Sequence, residues 1–384
     1  MTGATGWVPP TETERLLYEA RMRDDWETEL TVLSRTRLYL PIARLHADTP
    51  GFTAPLVPGK DPLSGKPAIH VFTPGMLPPW HPEWVHRYVT LTELAESWPN
   101  DKWRLSVNPG TPCATSLEAK PVYREAWQEI GAETGGPRRG VLITHLGGPL
   151  HGALAHGLAC GAHLSVHNGV PWNQLGTTYF DYAGDVSQLR GTWHVTNRAQ
   201  YHDKLTDLFE ARFVDRHQEF ALRARSGLAQ RLGRVPSREE WLDTVTQALA
   251  LRKAGDDTSA RAREAVELTA RCEERLRSDG VLGPGQHVDS LAAFDYGRAV
   301  AFVRLGLGSR LSDPYAAEQA VVRVGGLCRE TYPSWEAFSA AYALARVIAY
   351  DDADDAELKY QESVAQHRVL AQDPASPYRN LPWS

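Results

Sequence analysis

The sequence predicts an α+β protein: a small N-terminal domain of α/β character on a mixed sheet, followed by a larger all-α domain. Three observations lead there. Strand-like runs rich in β-branched and aromatic residues are confined to the early part of the chain. The stretch GAETGGPRRG at 131–140 has the glycine content and charge of a linker. Beyond it, nearly every segment repeats its apolar residues at helical spacing. A chain of 384 residues also exceeds one average domain of roughly 150. The expected division is an N-terminal domain at 1–130, a linker at 131–140 and a helical domain at 141–384.

Each element has a local reason. Thr11 and Glu14 form a capping-box pair ahead of Leu16, Leu17, Ala20, Trp26, Leu30 and Leu33, whose spacing suits one helix laid on a core. Strands are expected at 38–43 and 68–73, separated by a Pro- and Gly-rich stretch at 49–67. Thr90 with Glu93 starts a short helix ending near Trp98, and 103–107 reads as another strand. After Asn108-Pro109-Gly110-Thr111-Pro112 a helix is expected over 116–130, interrupted or restarted at Pro121. Later helices are expected at 152–167, 186–189, 198–222, 237–252, 258–278, 289–307, 314–324, 334–350 and 356–372. Ser237 with Glu240 makes a further capping box, and Pro314 stands in a first turn.

Composition excludes several classes. With 42% apolar and 23% charged residues the chain is globular rather than disordered. Its 41 basic against 47 acidic side chains, net −6, exclude a dedicated nucleic-acid binder, which needs a basic surplus to neutralise phosphates. The longest run without Asp, Glu, Lys or Arg, 140–180, is broken by histidines, glycines and prolines, so no membrane span is expected. Four cysteines far apart in sequence, with no C-x-x-C pair, suit a reducing compartment. No secretory leader is visible, and a cytoplasmic location is the expectation.

Candidate site residues fall in four places. On a single helix over 152–167, His156, Cys160, His163 and His167 share one stripe, and His163 with His167 has the i, i+4 spacing that sets two imidazoles on one zinc ion. The same stripe also suits the polar face of an amphipathic helix, so no cofactor is the leading expectation and zinc bound by His156, His163 and His167 the alternative. Asp295 and Arg298 are i, i+3 neighbours in the apolar block AFDYGRAVAFVRLG. They form either a buried pair or a site for an anion or carbonyl group. Asn108 and Gly110 lie in a turn whose backbone amides can face a ligand. Trp80 and Trp84, in PPWHPEW, suit a stiff amphipathic interface loop.

LYLPI at 38–42, HVFTPGMLPPW at 70–80 and WRLSVNPGTP at 103–112 resemble the N-terminal domain of the SseB family, over about residues 1–130. GAHLSVHNGVPWNQLG at 161–176, GTWHVTNRAQY at 191–201, AFDYGRAVAFVRLG at 293–306, SWEAFSAAYALAR at 334–346 and the terminal LPW at 381–383 resemble the YbeU-type domain of unknown function 1266, over about 150–384. Phe294 stands where that family usually has Trp. Neither family implies a catalytic activity. The SseB resemblance implies a bacterial secretion or toxin-immunity setting and a protein partner.

No nucleophile elbow, Cys-His signature or dinucleotide fingerprint is present. The expectation is thus a non-enzymatic protein-binding module. A metal-dependent enzyme using the helical-domain histidines and a homo-oligomeric dimerisation scaffold are the alternatives.

Overall fold

A computed structural model describes residues 7–47, 49, 51 and 54–384. The chain is α+β, with a small mixed-sheet region early and a larger helical region late. Its elements begin with α1 (Glu12–Met22), α2 (Trp26–Ser34), β1 (Leu38–Ala43), α3 (Arg44–Ala47), β2 (Gly59–Lys60), β3 (Pro67–Val71), β4 (Trp84–Val89), α4 (Leu91–Glu96), β5 (Arg104–Val107), β6 (Thr115–Glu118) and α5 (Pro121–Thr134). They continue with α6 (Gly152–Cys160), α7 (Ala162–Asn168), β7 (Thr178–Tyr179), α8 (Tyr182–Trp193), α9 (Arg198–Phe209), α10 (Arg216–Leu232), α11 (Arg238–Leu251) and α12 (Asp256–Ser278). The last are α13 (Ala293–Gly308), α14 (Pro314–Thr331), α15 (Trp335–Ala349), α16 (Ala356–Gln372) and α17 (Pro377–Asn380).

Contacts divide the chain into two compact units, one of residues 1–150, 168–198 and 304–318, the other of 151–167, 199–303 and 319–384. This corrects the single boundary expected at 131–140. The physical reason is visible at β7: it pairs in parallel with β4, His86 opposite Thr178, and so draws its segment into the first unit.

In that unit β1 and β4 run antiparallel with Leu38 opposite Val89 and Ala43 opposite Trp84. A second sheet has the order β2-β3-β5-β6, with β3 and β5 parallel. Leu17, Leu33, Leu38, Ile69, Leu91, Leu105 and Trp127 fill the core between the strands and helices. The capping box at Thr90 forms with both of its bonds. The one at Thr11 does not: the Thr11 hydroxyl donates to the Glu14 carboxylate, which turns inward to accept also from Thr73 Oγ1 and, at 3.1 Å, from Gly75 N.

Two expectations are corrected here. The first helix is two, because Asp24 takes a positive φ of 52° and Asp25 caps a fresh start at Thr28 N, which leaves Trp26 60% exposed. Residues 116–118 belong to β6, paired with β5, and the helix starts only at Pro121, whose fixed φ suits a first turn.

The helical unit is locked by polar and glycine contacts. A bidentate ion pair joins Arg225 to Glu273 at 2.7 Å for each bond, tying α10 to α12. Trp241 of α11 donates its indole N–H to Ala221 O at 2.7 Å. Gly157 lies directly on Val321 of α14, so no side chain fits there. At Gly297 a Cβ would stand 2.6 Å from the Tyr342 ring of α15, which explains a glycine inside α13. The expected helix over 152–167 is corrected to α6 and α7, separated at Gly161, where any Cβ would meet Val300 at 2.7 Å.

Candidate functional site

In the first unit the structure builds an exposed aromatic edge. Trp80 is 53% exposed, Trp84 46% and Leu45 76%. Register explains their grouping: Trp84 opens β4 opposite Ala43, two residues before Leu45, and His81 bridges back to Trp84. One backbone and one side-chain bond of Arg44 hold the frame. Arg44 N donates to Glu83 O at 2.7 Å, and Arg44 Nε to Pro82 O at 2.6 Å.

The segment before Trp80 is pinned by residues that the sequence reading missed. His145 Nε2 lies 3.1 Å from Leu77 O and 3.2 Å from Pro78 O. The backbone of His145 is gripped in turn by the Asn173 amide, through two bonds of 2.8 Å. Burial lowers the His145 pKa, so the ring acts as a neutral clamp. Gly147 packs on Pro79, where a Cβ would come within 2.9 Å of its Cα. Large rings are thus displayed on a fixed backbone, the arrangement that binds protein surfaces with little ordering cost. Nothing local in sequence ties His145 to Leu77, so only the fold could reveal it.

The Asn108–Gly110 turn has another role. Asn108, at φ 49°, is wholly buried. Its Oδ1 accepts from Thr73 N at 2.8 Å, and its Nδ2 donates to Thr73 Oγ1 at 2.9 Å and to Cys113 Sγ at 3.4 Å. The Asn108 side chain fastens β5 to the turn after β3. Gly110, at φ 78° with open space around it, serves the turn geometry.

In the helical unit His156, His163 and His167 do not converge. His156 lies between the rings of Trp335, at 4.7 Å, and Trp383, at 5.3 Å, tilted to both. His163, wholly buried and stacked 4.3 Å from Tyr342, meets Ser339 Oγ at 2.8 Å, and that hydroxyl meets His367 Nδ1 at 2.8 Å. His167 turns toward Gln366, at 3.3 Å, and Glu362, at 3.7 Å. Among the described residues no three His, Cys, Asp or Glu side chains gather in a way that could hold a metal ion. Burial pulls His156 and His367 down to about 4 and holds His163 well below the ordinary imidazole value, so all three are neutral bases at neutral pH.

Asp295 and Arg298 are ion-paired. Asp295 is wholly buried and also accepts from Phe213 N at 2.9 Å, while the Arg298 guanidinium lies 4.3 Å over Phe294. They bind the start of α13 to the loop before α10, which is the buried-pair reading of that motif.

Asp185, absent from the sequence reading, is a buried acid of the first unit. It is 3% exposed, and its carboxylate fills the space a side chain at Gly308 would need. Burial, with Asp181 nearby, pushes its pKa up to about 8 against the opposing charge of Arg310. Its place in the first turn of α8 reads in sequence as an ordinary acid at a helix N-terminus.

Among the described residues no helix is long and apolar enough to cross a membrane. No curated protein and no solved structure matches the chain significantly. A family model described as a protein of unknown function, DUF1266, matches residues 188–383, just over half of the chain. The match carries four of the five blocks quoted above and leaves the one at 161–176 outside it. On these grounds the chain belongs to the DUF1266 family.

Proposed function

We propose that this protein is a non-enzymatic binding module that recognises a protein partner through the Trp80–Trp84 edge. The observation that carries the reading is the pairing of large exposed rings with a fixed backbone: Trp80 and Trp84 face solvent while His145, Asn173 and Gly147 hold the segment beneath them. Tryptophan at a central, preorganised position is the residue type that most often dominates interface energy. The likeness of the first 130 residues to SseB-type domains adds the setting, a bacterial secretion or toxin-immunity system in the cytoplasm. The histidine geometry favours this reading over a metal-dependent enzyme, since His156, His163 and His167 are each directed to a separate partner.

The test is capture from native lysate with the full chain and with a Trp80→Ala/Trp84→Ala double variant. A protein retained by the wild type and lost by the variant is expected. Retention equal in both, or nothing above control across growth conditions, ends the proposal.

A further inference from the structure

The helical unit carries a groove that the aromatic edge does not involve. It encloses about 850 Å³ between α10 and α11, and Arg212, Arg216, Arg223, Arg231 and Arg252 surround it. Along α10, Arg216, Arg223 and Arg231 follow one another at seven and eight residues, two helical turns each, and so form one stripe about 22 Å long. From α11 come Thr244, Ala248 and, just past its end, Arg252, again on one face at i, i+4 spacing. The floor is small: Ala224, Gly227 and Ala248 leave the room that the rim of guanidinium groups overlooks.

Charge in the groove is compensated at Arg212, which pairs with Asp207 at 3.0 Å and with Glu210, and little elsewhere. Its one acid, Glu219, turns inward to accept from Ser290 Oγ at 3.0 Å and Leu291 N at 2.5 Å, and stays 3.8 Å from Arg223. Among the described residues Arg216, Arg231 and Arg252 have no carboxylate partner, and Arg223 is 81% exposed. The walls are nonetheless rigid, because the inner face of α10 is fixed by the Arg225–Glu273 pair and by Trp241. A row of cations on a rigid, small-residue trough is complementary to a row of anions.

We infer that this groove binds an acidic polypeptide segment of a protein partner. About seven residues of extended chain span the stripe at 3.3 Å each. A compact phosphate needs donors converging on one point, whereas these arginines are strung out along a helix. Single-stranded nucleic acid needs bare rings for its bases, and the Phe220 ring here lies 4.8 Å under Arg252. The inference goes beyond the aromatic-edge reading and does not rest on it.

The experiment uses the full chain and fluorescence anisotropy with a labelled octaglutamate peptide, against tripolyphosphate and an oligouridylate. The expected result is binding of the peptide that weakens with salt and drops at least ~10-fold in Arg216→Glu/Arg223→Glu. A second variant, Ala248→Glu, leaves every arginine in place, sets an acid on the floor, and is expected to weaken binding likewise. Trp80→Ala/Trp84→Ala is expected to bind the peptide as the wild type does, which separates this inference from the other. No peptide binding, binding unchanged in both groove variants, or tighter binding of tripolyphosphate or oligouridylate overturns it.

Discussion

Trp84 of the first unit and His163 of the second are both large rings held in place by bonded neighbours, yet Trp84 leaves 46% of its surface in solvent and His163 none. Around Trp84 the polar bonds are made by backbone and by the Arg44 guanidinium, so the ring itself is free to face outward. Around His163 the ring is itself the bonding group, in a line with Ser339 and His367. The difference teaches where each unit keeps its stability. In the helical unit buried neutral imidazoles share in it; in the first unit the exposed rings can be changed without touching the core.

Acidification should separate the two most sharply. His156 and His367 sit near pKa 4 in the fold against about 6.5 when unfolded. The unfolded chain therefore binds more protons, so their contribution is intact above about pH 6.5 and is lost as pH falls toward 4. On the order of 2 kcal/mol each is expected to be gone by pH 5, before most carboxylates titrate. Thermal melting should thus fall steeply between pH 6.5 and 5, and His367→Gln should flatten that fall. A flat profile in wild type would show that these rings already accept protons in the fold.

Next in size is His163→Ala. It opens a void against Tyr342 and leaves Ser339 with one imidazole partner instead of two, a loss of about 3 kcal/mol. Chemical denaturation should show the midpoint shift with an unchanged slope. Asp185→Asn should act in the opposite direction and in the first unit. Its folded pKa of about 8 lies above the unfolded value near 3.9, so the folded state holds the extra proton. The sign reverses: stability is full below the unfolded pKa and is lost as pH rises through 8. Removing the ionisable group is expected to stabilise the protein at pH 8.5 and to do so less at pH 5. A variant less stable at both values would mean that the carboxyl makes bonds an amide cannot replace.

How much of this the sequence disclosed depends on how local the cause is. Strand 38–43 and the capping boxes at Thr90 and Ser237 follow from neighbours in sequence and appear as expected. The strand character of 116–118 was hidden because its reason is the partner strand β5, and the break at Gly161 because its reason is Val300. The histidine stripe shows the limit most clearly. Spacing placed three rings on one side of a helix; it could not say that Ser339, Trp335 and Gln366 would each claim one of them. Asn108 is the same lesson in a turn: its place there was legible, but not that its side chain would tie Thr73 to Cys113. The groove arginines carried a legible signal, their seven- and eight-residue spacing along 216–231, but only the small residues of a second helix make a trough of it.

Smallest in stability, and most informative for function, is Trp84→Ala. The ring opens β4 at an edge where its backbone, not its indole, makes the register with Ala43. Truncation removes apolar surface that is already nearly half in water, so the folded state should lose no more than about 0.5–1 kcal/mol. If a partner covers this edge, the same truncation should cost about 2 kcal/mol or more of binding, because a buried indole at an interface centre is worth far more than an exposed one. The two readouts move independently only when the ring's work is done outside its own chain. A melting temperature that falls by as much as in His163→Ala would place Trp84 among the packing residues and remove the contrast on which the binding surface rests.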